Sequence, residues 1–356
     1  MKLFLKDGTQ FDGTPFGHSG ATSGEVVFNT GMVGYVESLT DPSYEGQILV
    51  MTYPLVGNYG VPHTRFFESK KIHVKGLIVS EYSEAYSHKD ALHSLGEWLK
   101  KEGIPALSGV DTRMLTKKLR EHGTMLGAIA TERPRGKWYD PDLENQVALV
   151  SPSEVVKTGS GALTIVVVDC GSKENIVRLV SRPDVTVVRV PWDYDFTDIP
   201  YDGVLISNGP GDPTFCTATI AHLKKAFRLK KPMLGICLGV QLMVLAAGAK
   251  TYKLKYGHRS HNQPCIDVSS GTRCYITSQN HSFAIDENTL SKEWKVWFKN
   301  ANDGTVEGIA HASLPYKAVQ FHPEASPGPT DTQWIIDQFV DDVRVHAKTG
   351  SKKKNV

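Results

Sequence analysis

A chain of 356 residues, 40% hydrophobic and 22% charged, has the length of two domains and the composition of ordinary globular protein. With 40 Lys and Arg against 38 Asp and Glu, the net charge of +2 gives no electrostatic case for binding nucleic acid or a membrane surface. Five cysteines without paired or C-x-x-C spacing argue against a disulfide framework and a cysteine zinc site, and no run approaches the roughly 20 apolar residues of a membrane span. The start, Met1-Lys-Leu-Phe-Leu-Lys-Asp-Gly8, turns polar too early for a signal peptide, so a soluble cytoplasmic protein is expected.

Leu3–Leu5 and Thr9–Phe11 flank Lys6-Asp7-Gly8 and predict a hairpin with a type I′ Asp-Gly turn. Glu25–Phe28, Gln47–Met51 and Lys75–Tyr82 read as strands, and Gly31 to Tyr44 as a turn-rich stretch. Asp90–Glu102 reads as an amphipathic helix burying Leu92, Leu95, Trp98 and Leu99, and Asp111–His122 as a second. Residues 1–131 thus predict a small mixed α/β domain without a catalytic pattern of its own. From 132 to 161, Pro and Gly break every period, and the stretch is assigned as a linker.

Residues 162–346 alternate. Leu163–Asp169 is a β-branched run that predicts a strand buried on both faces. A helix at 173–181, strands at 185–190 and 203–206, and a helix at 217–230 follow; a strand at 318–321 and a helix at 332–345 close the series. The pattern predicts a doubly wound, mostly parallel sheet with helices on both faces, and a flexible tail over 347–356. Ligands in such sheets sit beyond the carboxyl ends of the strands.

One stretch in this half carries chemistry. Met233–Ile236 reads as a strand, Gly235-Ile-Cys-Leu-Gly239 as a tight turn, and Gln241–Ala247 as a helix. Glycines around a nucleophile between strand and helix make a nucleophile elbow, and the N–H groups of a helix start favour a thiolate at Cys237. The plain alternative for an isolated Cys is a small buried hydrophobe. A cysteine nucleophile needs a base and a group that orients it, and Gln320-Phe-His-Pro-Glu324 supplies both in His322 and Glu324. The backbone N–H of Leu238 and one from Asn208-Gly-Pro-Gly211 are candidates for an oxyanion hole.

Gly235–Gly239 with Gln241, Ser207-Asn-Gly-Pro-Gly-Asp-Pro213 and Phe321–Glu324 together resemble the class I, triad-type glutamine amidotransferase domain. Thr277–Phe283, Arg259–Pro264, Gly171–Ile176 and, in the first half, Gly24–Thr30, Leu39–Tyr44, Thr52–Pro54, Gly57-Asn58 and Gly109–Arg113 narrow the resemblance to the glutaminase small subunit of carbamoyl-phosphate synthetase. Other class I amidotransferases, such as anthranilate or GMP synthase components, leave residues 1–130 unexplained. The resemblance implies that Cys237 attacks the carboxamide of glutamine to give a γ-glutamyl thioester and ammonia. His322 then serves as acid and base and Glu324 orients it. Leu238 with Gly209 or Gly211 holds the oxyanion, while Gln241, Asn280, Ser282, Phe283 and, from the first domain, Ser43 hold the substrate. Ammonia would pass to a large subunit or fused synthetase domain that uses ATP, Mg²⁺ and bicarbonate, for pyrimidine or arginine biosynthesis. No cofactor or metal is expected in this chain itself, which lacks a Gly-rich phosphate loop with Lys. The chain departs from the family pattern at Ser282 and Ser260, where Gly is usual, and at Val240, where a polar residue is usual; a left-handed backbone at 282 would strain a serine. A non-catalytic partner of an ammonia-using synthetase is the second reading.

Overall fold

β-Branched runs become strands on both sides of a boundary between Gln146 and Val147, where the chain divides into two units. The computed structural model describes the backbone of residues 1–353 and the side chains of residues 1–349.

In the first unit, eight strands form a mixed sheet in which Thr22–Asn29 runs parallel to Gln47–Met51 and antiparallel to Met125–Ala130. The first hairpin forms, Lys2–Leu5 against Gln10–Asp12, but around a different turn. Gly8 N–H donates to Leu5 O and only Gly8, at φ 100°, is left-handed, so the loop is a type I turn closed by a glycine bulge, not type I′. Helix Leu95–Lys101 starts five residues later than the periodicity suggests, because Ser94 and Glu97 form a reciprocal capping box; Leu92 is left outside it, 53% exposed. Asp111 caps Thr112–His122 without a reciprocal bond, accepting from Met114 N–H. The turn-rich stretch contains a short helix, Tyr35–Thr40, followed by a turn over Pro42–Tyr44. The expected strand over 75–82 divides into Gly76–Ile78 and Glu81–Tyr82, which join different sheets.

Residues 132–161 are no free connector. Tyr139 N–H donates to Ser23 Oγ and Gln146 is buried in the first unit, whereas Val156–Thr158 pairs antiparallel with Val185–Pro191 in the second. Proline and glycine erase periodicity without preventing packing. The expected tail likewise begins inside a helix, Trp334–Lys353, and its last residues, 354–356, lie outside the described ones.

The second unit is built on five parallel strands. Counting them in chain order as first to fifth, their order across the sheet is second, first, third, fourth, fifth: Val185–Pro191, Leu163–Asp169, Gly203–Ile206, Met233–Ile236, Tyr316–Val319. Alternate side chains feed two cores. Val166, Val168, Val204 and Ile206 pack with helices Thr217–Ala226 and Leu238–Ala246; Ile165, Val167, Leu205 and Leu234 pack with Glu174–Val180 and Trp334–Lys353. Each such aliphatic side chain, fully buried, stabilises by about 1.5–3 kcal/mol. Beyond Tyr316–Val319 the sheet continues antiparallel through Val306–His311, Cys274–Ile285, Thr251–Asp267 and Trp294–Asn300. No helix among the described residues is long and apolar enough to cross a membrane.

Candidate active site

The register of the parallel strands aligns their carboxyl ends. Val168 lies beside Ile206, Ile206 beside Gly235 and Ile236 beside Val319. The segments that follow, Cys170–Lys173, Ser207–Pro213, Cys237 and Gln320–Glu324, therefore emerge on one edge, where the strand order also reverses.

Cys237 is the pivot. Its N–H donates to Val319 O at 2.8 Å, as though the strand continued, and Leu238 already begins the helix Leu238–Ala246. The chain turns between them at φ 53°, ψ −104°, a conformation that costs a non-glycine residue about 1–3 kcal/mol. The flanking glycines permit this turn. A Cβ on Gly239 would stand 2.3 Å from Ile206 O, and one on Gly235 would stand 2.8 Å from the Gly239 carbonyl carbon. No side chain caps the helix start, so the N–H of Leu238 is among the donors with no intrahelical acceptor. Gly209 belongs beside it: a Cβ there would meet Cys170 O at 2.2 Å and Leu238 Cδ2 at 2.8 Å. Gly211 sits in the same loop at φ 80°.

His322 follows strand Tyr316–Val319 and is tied by its N–H to Ser278 O at 2.8 Å. Its Nδ1 meets Glu324 Oε1 at 2.6 Å, and its Nε2 has no hydrogen-bond partner. Burial alone would lower the imidazole's pKa, but the Glu324 carboxylate and the Cys237 sulfur outweigh burial and raise it. Burial would raise Glu324, yet Lys173 and His322 bring it down to about 2. Glu324 and the Cys237 sulfur thus both favour the protonated ring of His322.

Lys173 carries no role in the sequence reading; it is 2% exposed and donates to Glu324 Oε1 at 2.9 Å and to Ala325 O. Its backbone N–H is held by Asn208 Oδ1 at 3.0 Å. Its position just past the carboxyl end of Leu163–Asp169 was the available signal. Gln320 was also unassigned; its Nε2 lies 3.7 Å from Cys237 Sγ and its Oε1 accepts from Gln241 Nε2 at 3.1 Å.

Of the expected glutamine-holding residues, Asn280 contacts the thiol directly, and Gln241 and Phe283 are linked to it through Gln320. Asn280 O lies 3.6 Å from Cys237 Sγ, and Gln241 Nε2 also donates to Phe283 O at 3.1 Å. Ser282 turns its hydroxyl to Arg259 Nη2 instead. The left-handed non-glycine residues among those described are Lys230, Cys237, Ala325 and Ser326, so Ser282 carries no backbone strain. Val240 is fully buried in the core, and Ser260 Oγ donates to Asn262 Oδ1. Ser43 is a residue of the first unit, in the turn Pro42–Tyr44, with its N–H on Asp41 Oδ1 at 2.9 Å. Cys237 and His322 are each only 2% exposed, and Asn280 O and Gln320 Nε2 lie against the sulfur.

Residues 3–129 match the family described as carbamoyl-phosphate synthase small chain, CPSase domain, and residues 166–342 match glutamine amidotransferase class-I. The chain is 45% identical over 372 residues to the carbamoyl phosphate synthase arginine-specific small chain of Phaeosphaeria nodorum, covering 99% of this chain and 78% of that one. It is 48% identical over 388 residues to multifunctional protein URA2 of Saccharomyces cerevisiae, covering 97% of this chain but 18% of that protein. It is also 48% identical over 349 residues to the mitochondrial carbamoyl-phosphate synthase [ammonia] of Rattus norvegicus, covering 95% of this chain and 23% of that one. The chain spans less than a quarter of the length of the last two.

Proposed function

We propose that this chain, which belongs to the carbamoyl-phosphate synthase small-chain family, hydrolyses glutamine and supplies ammonia to a carbamoyl-phosphate synthetase carried on a large subunit or fused domain. The observation that supports it best is the buried His322 with Nδ1 on Glu324 Oε1 at 2.6 Å and Nε2 left without a hydrogen-bond partner, beside a cysteine held in the strand-to-helix elbow. Cys237 sulfur attacks the amide carbon, and the oxyanion is held by the N–H of Leu238 together with a glycine N–H of Gly209 or Gly211. The proton on His322 goes to the departing nitrogen, which leaves as ammonia. Water, deprotonated by His322, then cleaves the γ-glutamyl thioester to glutamate and restores the thiol. Gln241, Asn280, Ser282 and Phe283 are the proposed glutamine contacts in the second unit, and Ser43 the proposed contact from the first. ATP, Mg²⁺ and bicarbonate are assigned to the synthetase. The product serves pyrimidine or arginine biosynthesis, and five unpaired cysteines suit a reducing, cytoplasmic setting.

The second reading, a non-catalytic partner, draws support from the rat relative, named for ammonia at the same 48% identity as the yeast protein. Family membership therefore carries less weight here than the side chains present at 237, 322 and 324. The test is glutamate release from glutamine by the purified chain, alone and with a synthetase partner. Turnover that rises when the partner is added, and disappears in Cys237→Ala, is expected. No glutamate in either condition leaves the non-catalytic reading.

A further inference from the structure

We propose that His258, His281, Glu307 and Gln279 bind a structural zinc ion in the antiparallel half of the second sheet, apart from the triad. Three neighbouring strands bring the ligands together. His258 on Thr251–Asp267 lies directly opposite His281 on Cys274–Ile285, and Glu307 comes from Val306–His311 on the far side of that second strand. Gln279 and His281, two residues apart in a strand, point to the same face.

The donor atoms are compact. One ligand atom from each of His258, His281 and Glu307 lies within 4.8 Å of the others. Gln279 Oε1 stands 2.9 Å from His258 Nδ1 and 3.3 Å from His281 Nε2; Glu307 Oε1 stands 3.4 Å and 3.8 Å from the same two nitrogens. A tetrahedral ion with ligands at 2.0–2.1 Å requires its ligand atoms to be roughly 3.3 Å apart, and these separations scatter about that value.

Two further observations point to an ion. Glu307 is fully buried, and its Oε2 has no hydrogen-bond partner, a costly state for a carboxylate. Each imidazole is also held from behind as a metal-bound histidine is. His258 Nε2 meets Asp303 Oδ2 at 2.9 Å, and His281 Nδ1 meets Phe283 O at 2.9 Å. A carboxylate on one ring and a backbone carbonyl on the other fix the tautomers that turn His258 Nδ1 and His281 Nε2 toward the centre. Two imidazoles and one carboxylate are zinc ligands, and the Gln279 amide oxygen supplies the fourth donor. Such an ion would pin Gln279 and His281, the neighbours in sequence of Asn280, whose carbonyl lies on the Cys237 sulfur.

The test is metal content and spectroscopy on the full 356-residue chain, stripped with chelator and reloaded without an affinity tag. The expected result is one Zn²⁺ per chain and a thermal midpoint raised by zinc. Co²⁺ in its place should give the visible bands of a tetrahedral ion with no thiolate charge-transfer band. Cys237→Ala should bind zinc as the parent does, and Glu307→Gln should not bind it. Asp303→Asn, on a half-exposed turn where the fold is not at stake, should weaken zinc about ten- to a hundredfold. Zinc well below one equivalent, an octahedral or thiolate-ligated Co²⁺ spectrum, loss of binding in Cys237→Ala, or unchanged affinity in Asp303→Asn would each overturn the site and leave a hydrogen-bonded network without an ion.

Discussion

The cost of holding Cys237 at positive φ is met by residues with no role in the chemistry. Gly239 is the clearest: any Cβ there drives into Ile206 O at 2.3 Å, a backbone atom of the neighbouring strand that cannot step aside. Gly239→Ala is therefore expected to shift the elbow off the sheet and to lower the thermal midpoint by many degrees, whereas the parent and Cys237→Ala should melt alike. In the proposed mechanism Glu324 acts through His322, which it contacts at 2.6 Å. Because the carboxylate raises the imidazole's pKa, Glu324→Gln must let it fall; the alkaline limb of the kcat–pH profile then moves to lower pH, and kcat drops by about 10²–10⁴. A variant that lost activity with an unmoved alkaline limb would mean that Glu324 does not act on the ring. The same residue makes a stability prediction. Its folded pKa, about 2, lies below the ordinary 4.5, so its contribution is fully present above about pH 4.5 and is lost as pH falls toward 2. In urea melts the gap between parent and Glu324→Gln should narrow over that window and stay constant from pH 5 to 6.

At the scale of elements, the parallel strands were legible because they are buried on both faces, which leaves uninterrupted valine and isoleucine such as Ile165–Val168. The antiparallel half was not. Cys274–Ile285 carries Ser278, Gln279, Asn280 and His281 in succession, and all four are buried. Polar side chains committed to His261, from Ser278, and to the His258–Glu307 cluster, from Gln279 and His281, hide the alternation that marks a strand, so this segment showed itself as a motif before it showed itself as structure. The elbow at Cys237 and the His322–Glu324 contact were legible from Gly-Ile-Cys-Leu-Gly and His-Pro-Glu. Lys173 was not, since a lysine in a loop gives no sign that 151 positions away a buried carboxylate needs its charge. Caps were half legible: Asp111 was placed at its helix start, but the Ser94–Glu97 box was overrun by the apolar period. Ser94→Ala removes the acceptor for Glu97 N–H and should cost the first unit about 1 kcal/mol, read as a lower urea midpoint; no change would mean that packing alone fixes that helix start.

At the scale of the whole molecule, each unit has its own sheet and its own core, and the chemistry-bearing side chains of the triad belong to the second. Cys237 and His322 are both 2% exposed, and Asn280 O and Gln320 Nε2 lie 3.6 and 3.7 Å from the sulfur, so on the proposed function these groups must give way for glutamine to enter. This argues that turnover depends on what moves them. On the proposed function, docking of the synthetase partner would be the trigger, which is why a higher glutaminase rate is expected when it is present. The account rests on covalent chemistry at one sulfur, and the most direct measurement is the mass of the intact chain, acid-quenched during turnover with glutamine. The predicted result is a species heavier by one γ-glutamyl group, mapped to Cys237, sensitive to hydroxylamine and missing from Cys237→Ala. Steady glutamate production with no such adduct, or with undiminished rate in Cys237→Ala, would contradict it.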